Sequence, residues 1–416
     1  MIRYGDEVAS LARPLRDPGD LEILLDRAAG ARVVLIGEAT HGTHEFYHWR
    51  DRLTRRLLAE RGFDFVAVEG DWPDCQRVDS AVRGATDPRD ALVRYDRWPT
   101  WMWANEETVD FTRWLAGYNA GRDRPAGFHG LDVYSLWESM REILTWLREH
   151  EPELVPAALD AYKCFEPYAE DPNAYGWATQ LGPGACQDRV TAMVAAVKDS
   201  DFGVWQNAEA VAGAEGYYRN MVRGGPDAWN IRDRHMDQTL ARLLDRYGPG
   251  SKAVVWAHNT HVGDARATDM TDYGEITLGQ LARERFGDDE VLLVGFATYR
   301  GSVVAGPSWG APMEVMAVPP ARGGSLEEIL RFTAPECALM VFPAGPDGPD
   351  LLTTELPHRA VGVVYRPDRE RWANYVPSIV GRRYDALLWF EQSHPVRPLH
   401  TLRVNLREPE TFPSGV

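Results

Sequence analysis

The stretch from Ala31 to Glu69, ARVVLIGEATHGTHEFYHWRDRLTRRLLAERGFDFVAVE, leaves few ways for this chain to fold. Four apolar residues, Val33 to Ile36, have the length and composition of a short buried strand, and they stop at Gly37. Glu38, Thr40, His41, Thr43, His44 and Glu45 follow at once. A helical pattern then runs to about Glu60, Gly62 ends it, and a second apolar run from Phe63 to Val68 leads into Glu69. Strand, loop, helix and strand in this order are the size of one right-handed parallel crossover. Such units bind ligands in the crevice beyond the carboxyl ends of their strands. Both strands deliver an acid there, Glu38 and Glu69, and the first also delivers His41, a side chain that titrates near neutrality. Polar groups this dense at the end of a buried strand are costly unless paired or used.

Further strand ends carry similar groups. Ala126 to Leu131 reads as a strand ending at Asp132, with His129 near its end. Lys252 to Ala257 reads as another, opening into His258, Asn259, Thr260 and His261. If these strands are parallel neighbours, Glu38/His41/His44, Glu69/Asp71, His129/Asp132 and His258/His261 line one rim. Glu290–Ala297 is a fifth strand, which Tyr299–Ala305 extends as a hairpin; Ala338–Phe342, Arg359–Tyr365 and Tyr384–Glu391 follow. Residues 1–30 form a helical lead-in, with Asp20 placed to cap LEILLDRAAG, and helical spacing recurs from Glu106 to Tyr118. Residues 136–247 are mostly helical, interrupted near Pro172, at GPG (182–184) and at GGP (224–226). That is too long for a simple crossover and reads as a helical subdomain or lid inserted into the sheet domain. The tail PETFPSGV reads as irregular. The expected fold is α/β. A central, mostly parallel or mixed sheet is flanked by helices, built from residues 1–135 and 248–416, with 136–247 as the insert.

Charge narrows the partners. Sixty-two acidic against 45 basic residues give a net charge of −17, which disfavours nucleic acid and anionic membranes. No stretch approaches the ~20 apolar residues of a membrane span, and the N-terminus lacks a signal-type apolar segment. A soluble cytoplasmic protein is the expectation. Cys75, Cys164, Cys186 and Cys337 lie far apart with no CxxC pair and read as reduced thiols, with one or two disulfides as the alternative.

A neutral histidine can take a proton from water while a carboxylate orients it and stabilises the imidazolium. A second histidine can donate to a leaving group or polarise a carbonyl. That set suits hydrolysis of an ester or related acyl bond without a covalent enzyme intermediate. The bland alternative is that each member is a satisfied buried polar group or a helix cap, which is how Thr40, Thr43 and Glu45 read. Arg50, on the crossover helix, either holds Glu38 or Glu69 ionised, clamps a substrate oxygen, or is simply solvated. Arg232 and Asp233 in WNIRDRHM read similarly but more weakly, and Arg266 and Asp269 sit in a polar loop able to close over a ligand. A literal HExxH, His44-Glu45-Phe46-Tyr47-His48, could place two zinc ligands on one helix face, though it begins in a first helical turn directly after a strand. A P-loop and a GxGxxG after the first strand are missing, which disfavours P-loop NTPases and dinucleotide enzymes.

GEATHGTHEFYHWRDRLTRRLL, VAVEGDWPDC, WNIRDRHM and VVWAHNTHVGDAR, in this order, resemble the erythromycin esterase family over roughly residues 10 to 410. The resemblance implies an α/β core with a large helical portion and a cleft between them. It further implies opening of a lactone ester in macrolides by a histidine that activates water, with no metal or other cofactor. Position by position, it gives His41 as general base, with Glu38, Arg50, Glu69, His258 and His261 completing the catalytic set. His44, Asp71, Trp72, Asp132, Arg232 and Arg266 are the expected substrate contacts. His44 and His48 have no counterpart in the family pattern, so the HExxH gains nothing from it. The flanking wording is that of a broad bacterial branch, so the small-molecule substrate is an ester or lactone, a macrolide or another natural product. The alternatives are a metal-dependent hydrolase using the same histidines, a biosynthetic lactone-forming or acyl-transfer enzyme, and a non-catalytic ligand-binding homologue.

Overall fold

The computed structural model describes residues 4–181, 185–343, 345 and 348–400. Its strands are β1 (Arg13–Pro14), β2 (Val33–Ile36), β3 (Phe65–Asp71), β4 (Gly127–Asp132), β5 (Ala253–Trp256), β6 (Val291–Ala305), β7 (Glu314–Val318), β8 (Cys337–Val341), β9 (Glu355–Arg359), β10 (Tyr375–Ile379) and β11 (Ala386–Ser393). Every residue of β2, β3 and β5 is buried. Continuous apolar runs of this kind belong to strands covered on both faces, and these lie at the centre of a nine-stranded sheet. The order is β1-β8-β11-β6-β2-β5-β3-β4, with β7 pairing β6 to the side. The pairs β11–β6, β6–β2, β2–β5, β5–β3 and β3–β4 are parallel; β1–β8, β8–β11 and β6–β7 are antiparallel. This is the expected mixed α/β sheet. Apolar clusters pack on its two faces, one including Val34, Ile36, Val66, Val68, Val254 and Trp256, the other Val33, Leu35, Phe65, Ala67, Val255 and Leu293.

Several local expectations change. β2 and β3 are not neighbours, because β5 lies between them. β3 runs on through Glu69 to Asp71, so these acids belong to the strand itself. Val291–Ala305 is one 15-residue strand, not two arms of a hairpin. Gly301 (φ 145°) lets it continue where a side chain could not: a Cβ there would lie 2.1 Å from the Ser393 carbonyl oxygen. Arg359–Tyr365 is not a strand; β9 ends at Arg359 and pairs with β10 in a separate ribbon, and only single bridges, Thr40 with Val361 and Gly306 with Val364, follow. Asp17, not Asp20, caps the first turn of its segment, and Asp20 completes that capping box from inside it. Thr43 stands at the N-cap of the His44–Glu60 helix, but its hydroxyl meets that of Thr40 instead of a helix N–H.

From Leu136 to Tyr247 the long elements are helices: Leu136–His150, Val155–Phe165, Pro172–Leu181, Gln187–Ala196, Phe202–Met221 and Asp227–Tyr247. They enclose an apolar cluster of their own, with Tyr134, Trp137, Ile143, Phe165, Tyr175 and Tyr217 among its members. The GPG at 182–184 and the PETFPSGV tail lie outside the described residues. Cys164 and Cys186 form a disulfide, so the alternative of one bridge holds in place of four reduced thiols; Cys75 and Cys337 are free. Among the described residues no helix is long and apolar enough to cross a membrane.

Candidate active site

Because β2, β5, β3 and β4 run parallel side by side, their carboxyl ends form one rim. At the end of β2, His41 Nδ1 lies 2.9 Å from Glu38 Oε1. Glu38 Oε2 in turn accepts from Arg50 Nη2 at 3.0 Å. Arg50 projects from the second turn of the His44–Glu60 helix, is wholly buried, and lies over the rings of Tyr47 (4.3 Å), Trp256 (5.1 Å) and Trp103 (5.9 Å). Since an ionised carboxylate only accepts, His41 carries its proton on Nδ1 and leaves Nε2 as a base. His41 Nε2 is 4.0 Å from Glu69 Oε1, and 7% of the residue remains exposed.

Glu69 is the hub of a second network. Its Oε1 accepts from Arg232 Nη2 at 2.6 Å and its Oε2 from the His258 backbone N–H at 2.7 Å. Burial pushes this carboxyl up, but His261, Arg232, His41 and the His258 amide outweigh it and hold Glu69 well below the ordinary carboxylate range. Arg232 also grips Asp132 through Nε (2.8 Å) and Nη2 (2.6 Å), and its Nη1 donates to His261 Nε2 at 3.0 Å. A guanidinium only donates, so His261 Nε2 accepts, and the ring's proton sits on Nδ1, 2.9 Å from Asp233 Oδ2. Burial pushes His261 down, while Asp233 and Glu69 together bring it above the ordinary imidazole value. Trp229 stacks flat on its ring at 4.4 Å.

His258 caps the Asn259–Val262 turn: its Nδ1 accepts from the Thr260 backbone N–H at 3.3 Å. Its ring proton is therefore on Nε2. Burial, followed by the neighbouring His41, pushes its pKa well below the ordinary value, so the ring is neutral. The His41 and His258 rings are 4.7 Å apart. The site thus places a base (His41 Nε2), a neutral donor (His258 Nε2) and a fixed guanidinium around one buried carboxylate. That combination can activate water and stabilise an oxyanion.

The structure joins Glu38, His41, Arg50, Glu69, His258, His261, Arg232 and Asp132 into this constellation. The others stand apart. His44 pairs with Glu107 (2.7 Å), and Glu45 accepts from His394, so the HExxH is drawn in two directions. Among the described residues no three His, Cys, Asp or Glu side chains are placed to hold a metal ion. His129 lies inside β4, not at its end, with Nε2 2.9 Å from the Tyr247 hydroxyl, and Trp72 stacks on it in the core. Arg266 pairs with Asp264 and Glu284. Asp71 is buried with Arg97 Nη1 3.6 Å away. Arg97 also lines a 740 Å³ cleft with Asp74, Arg77, Trp137, Glu138 and Arg141, whose wall includes none of the residues around His41. Sequence reading ranked Arg232 too low and passed over Trp229. Their spacing with Asp233, at i, i+3 and i+4 on one helix, was the available signal.

The erythromycin esterase family model matches residues 58–393. "Putative hydrolase YbfO" of Bacillus subtilis (strain 168) is 21% identical over 410 residues, covering 90% of this chain and 87% of its own. Erythromycin esterase type II of Escherichia coli is 22% identical over 304 residues, covering 66% and 70%. Among solved structures, a succinoglycan biosynthesis protein has a TM-score of 0.80 at 20% identity over 95% of this chain and 97% of that one. A mutant erythromycin esterase in its open conformation has a TM-score of 0.68 at 16% identity over 93% and 97%. At these identities the structural likeness speaks to the fold.

Proposed function

Because the chain belongs to the erythromycin esterase family, we propose that it hydrolyses ester or lactone bonds, with His41 activating the attacking water. The observation that supports this most is the buried Arg50–Glu38–His41 series, which commits His41 Nδ1 to Glu38 and leaves Nε2 facing Glu69. Water bound between His41 Nε2 and Glu69 gives its proton to Nε2 as its oxygen attacks the carbonyl carbon. Glu38 stabilises the imidazolium that forms, and Arg50 holds its second oxygen in place. The carbonyl oxygen becomes an oxyanion, for which His258 Nε2–H is the donor. Collapse breaks the C–O bond, and the alkoxide takes the proton from His41, giving acid and alcohol. His261, backed by Asp233, holds the Arg232 guanidinium against Glu69. Asp132 acts through Arg232.

A macrolide lactone is the first substrate to try, given the Escherichia coli relative, with other natural-product lactones next. The helical stretch 136–247 supplies Arg232 and Asp233 from its last helix, and in our reading acts as the lid over the rim. A cytoplasmic site of action belongs to the same reading, with the Cys164–Cys186 bond as the observation against it. The test is incubation of the purified chain with macrolides and simpler lactones, followed by mass spectrometry. A product heavier by one water, absent with His41→Ala, is expected. Undiminished turnover by that variant refutes the reading.

A further inference from the structure

A second buried Glu–His pair lies outside this chemistry. His358, on β9, is 1% exposed, with Nδ1 2.6 Å from Oε1 of the fully buried Glu327. The same oxygen accepts the Arg359 backbone N–H at 2.8 Å. Burial pushes the Glu327 carboxyl up, but His358 and Arg359 more than offset it and keep it below the ordinary range. The other side of the His358 ring, Nε2, faces Asn259 Nδ2 at 3.4 Å. An amide nitrogen only donates, so Nε2 accepts and the His358 proton points at Glu327.

Asn259 sits between the two histidines of the β5 turn and is wholly buried. Its side chain crosses the end of β2 to reach β6. There Nδ2 donates to the Phe296 carbonyl at 2.8 Å, and Oδ1 accepts the Phe296 N–H at 3.2 Å. Its own N–H donates to the Glu38 carbonyl at 2.8 Å, and its carbonyl accepts from Arg383 Nη2 at 3.3 Å. The crossing needs glycine at 37, since a Cβ there would lie 2.1 Å from Asn259 Oδ1. One residue therefore fastens the ends of β5 and β2 to the interior of β6, directly beside Glu38 and His258.

We propose that Asn259 is a positioning residue that fixes the His258–His261 turn against the Glu38–His41 pair, with His358, oriented by Glu327, as its support. Its kinetic consequence rests on the hydrolase reading; its geometric consequence does not. A shift of about 1 Å in such an arrangement costs on the order of 100-fold in rate.

The experiment uses the full chain labelled with 15N-histidine, reading the imidazole nitrogens by NMR alongside kcat and KM on any substrate the lactone panel yields. Asn259→Asp keeps the shape but cannot donate to Phe296 or His358. It is expected to move the His41 and His258 ring signals, and to lower kcat roughly 10- to 100-fold with KM within about twofold. His358→Leu, which leaves the residues of the turn intact and is the fallback if Asn259→Asp does not fold, moves the same signals less, and His358→Gln, which keeps an acceptor, restores them. Gly37→Ala moves the same ring signals, yet moves them little further in an Asn259→Ala background, where the obstructing side chain is gone. Unmoved His41 and His258 signals in folded Asn259→Asp, or independent effects of Gly37→Ala and Asn259→Ala, overturn the proposal. Moved ring signals without turnover of any lactone leave the positioning role standing and count against the hydrolase reading.

Discussion

Arg50→Met isolates what the buried guanidinium does for Glu38. Arg50 and Glu38 are 0% and 1% exposed and meet at 3.0 Å. Methionine keeps most of the aliphatic stem that packs among Tyr47, Trp103 and Trp256, so the loss is mainly electrostatic. Removing one partner of such a pair leaves the other charge buried and uncompensated, at a cost of about 3–5 kcal/mol. The three ring contacts belong within that figure, at roughly 0.5–2 kcal/mol for a desolvated cation over an aromatic face. Glu38→Gln alone strands Arg50 and costs a similar amount. Removing both charges together removes the cause, so the double variant should fall short of the sum of the singles by at least about 2 kcal/mol. Urea unfolding of the four proteins at neutral pH reads this directly. The consequence for turnover is a fall of about 100-fold or more in either single variant, because Glu38→Gln removes the anion that stabilises protonated His41 and Arg50→Met removes the group that holds that anion in place. Single losses that add to within about 0.5 kcal/mol would refute the reasoning, as would full activity in Arg50→Met.

Asp233→Asn removes the carboxylate from His261 Nδ1, and kcat should drop at least about tenfold while the far-UV spectrum stays unchanged. Arg232→Lys cannot reach Glu69, Asp132 and His261 together; a stability loss of about 2–5 kcal/mol in urea is expected, with reduced kcat. Glu69 has a folded pKa held below its unfolded value of about 4.3. Its contribution to stability is therefore fully present above that pH and is lost as the pH falls towards the folded value. Wild-type unfolding midpoints should accordingly decline more steeply below about pH 4.5 than those of Glu69→Gln. Thiol titration in denaturant should find two reactive cysteines without reductant and four with it, and reduction should cost about 3 kcal/mol for a loop of this length.

Val33–Ile36 and the run into Val68 were legible because strands buried on both faces are continuously apolar, and the acids and histidines at their ends announced themselves against that background. Which ends meet was not legible. The insertion of β5 between β2 and β3 is a long-range pairing that no local pattern encodes, and it is what brings His258 beside His41 and its amide onto Glu69. Arg232 looked like an ordinary charged helix residue, since its value depends on Asp132 from β4 and Glu69 from β3. Asn259 and the Glu327–His358 pair were invisible for the same reason: an amide that crosses one strand to bond the next leaves no periodic trace. Trp72, His129 and Arg266 show the converse, suggestive residue types near strand and loop ends that sit in core packing or local ion pairs away from the rim, and the HExxH, which the sequence already disfavoured, is drawn into ion pairs of its own.

The central claim, that His41 activates water for attack on an ester or lactone, is tested most directly by running the reaction in heavy-oxygen water with wild type and His41→Ala and weighing the product. The account predicts a ring-opened or cleaved product carrying one heavy oxygen in its new carboxyl group, formed by wild type and lost with the variant. The same product formed at an undiminished rate by His41→Ala would contradict it.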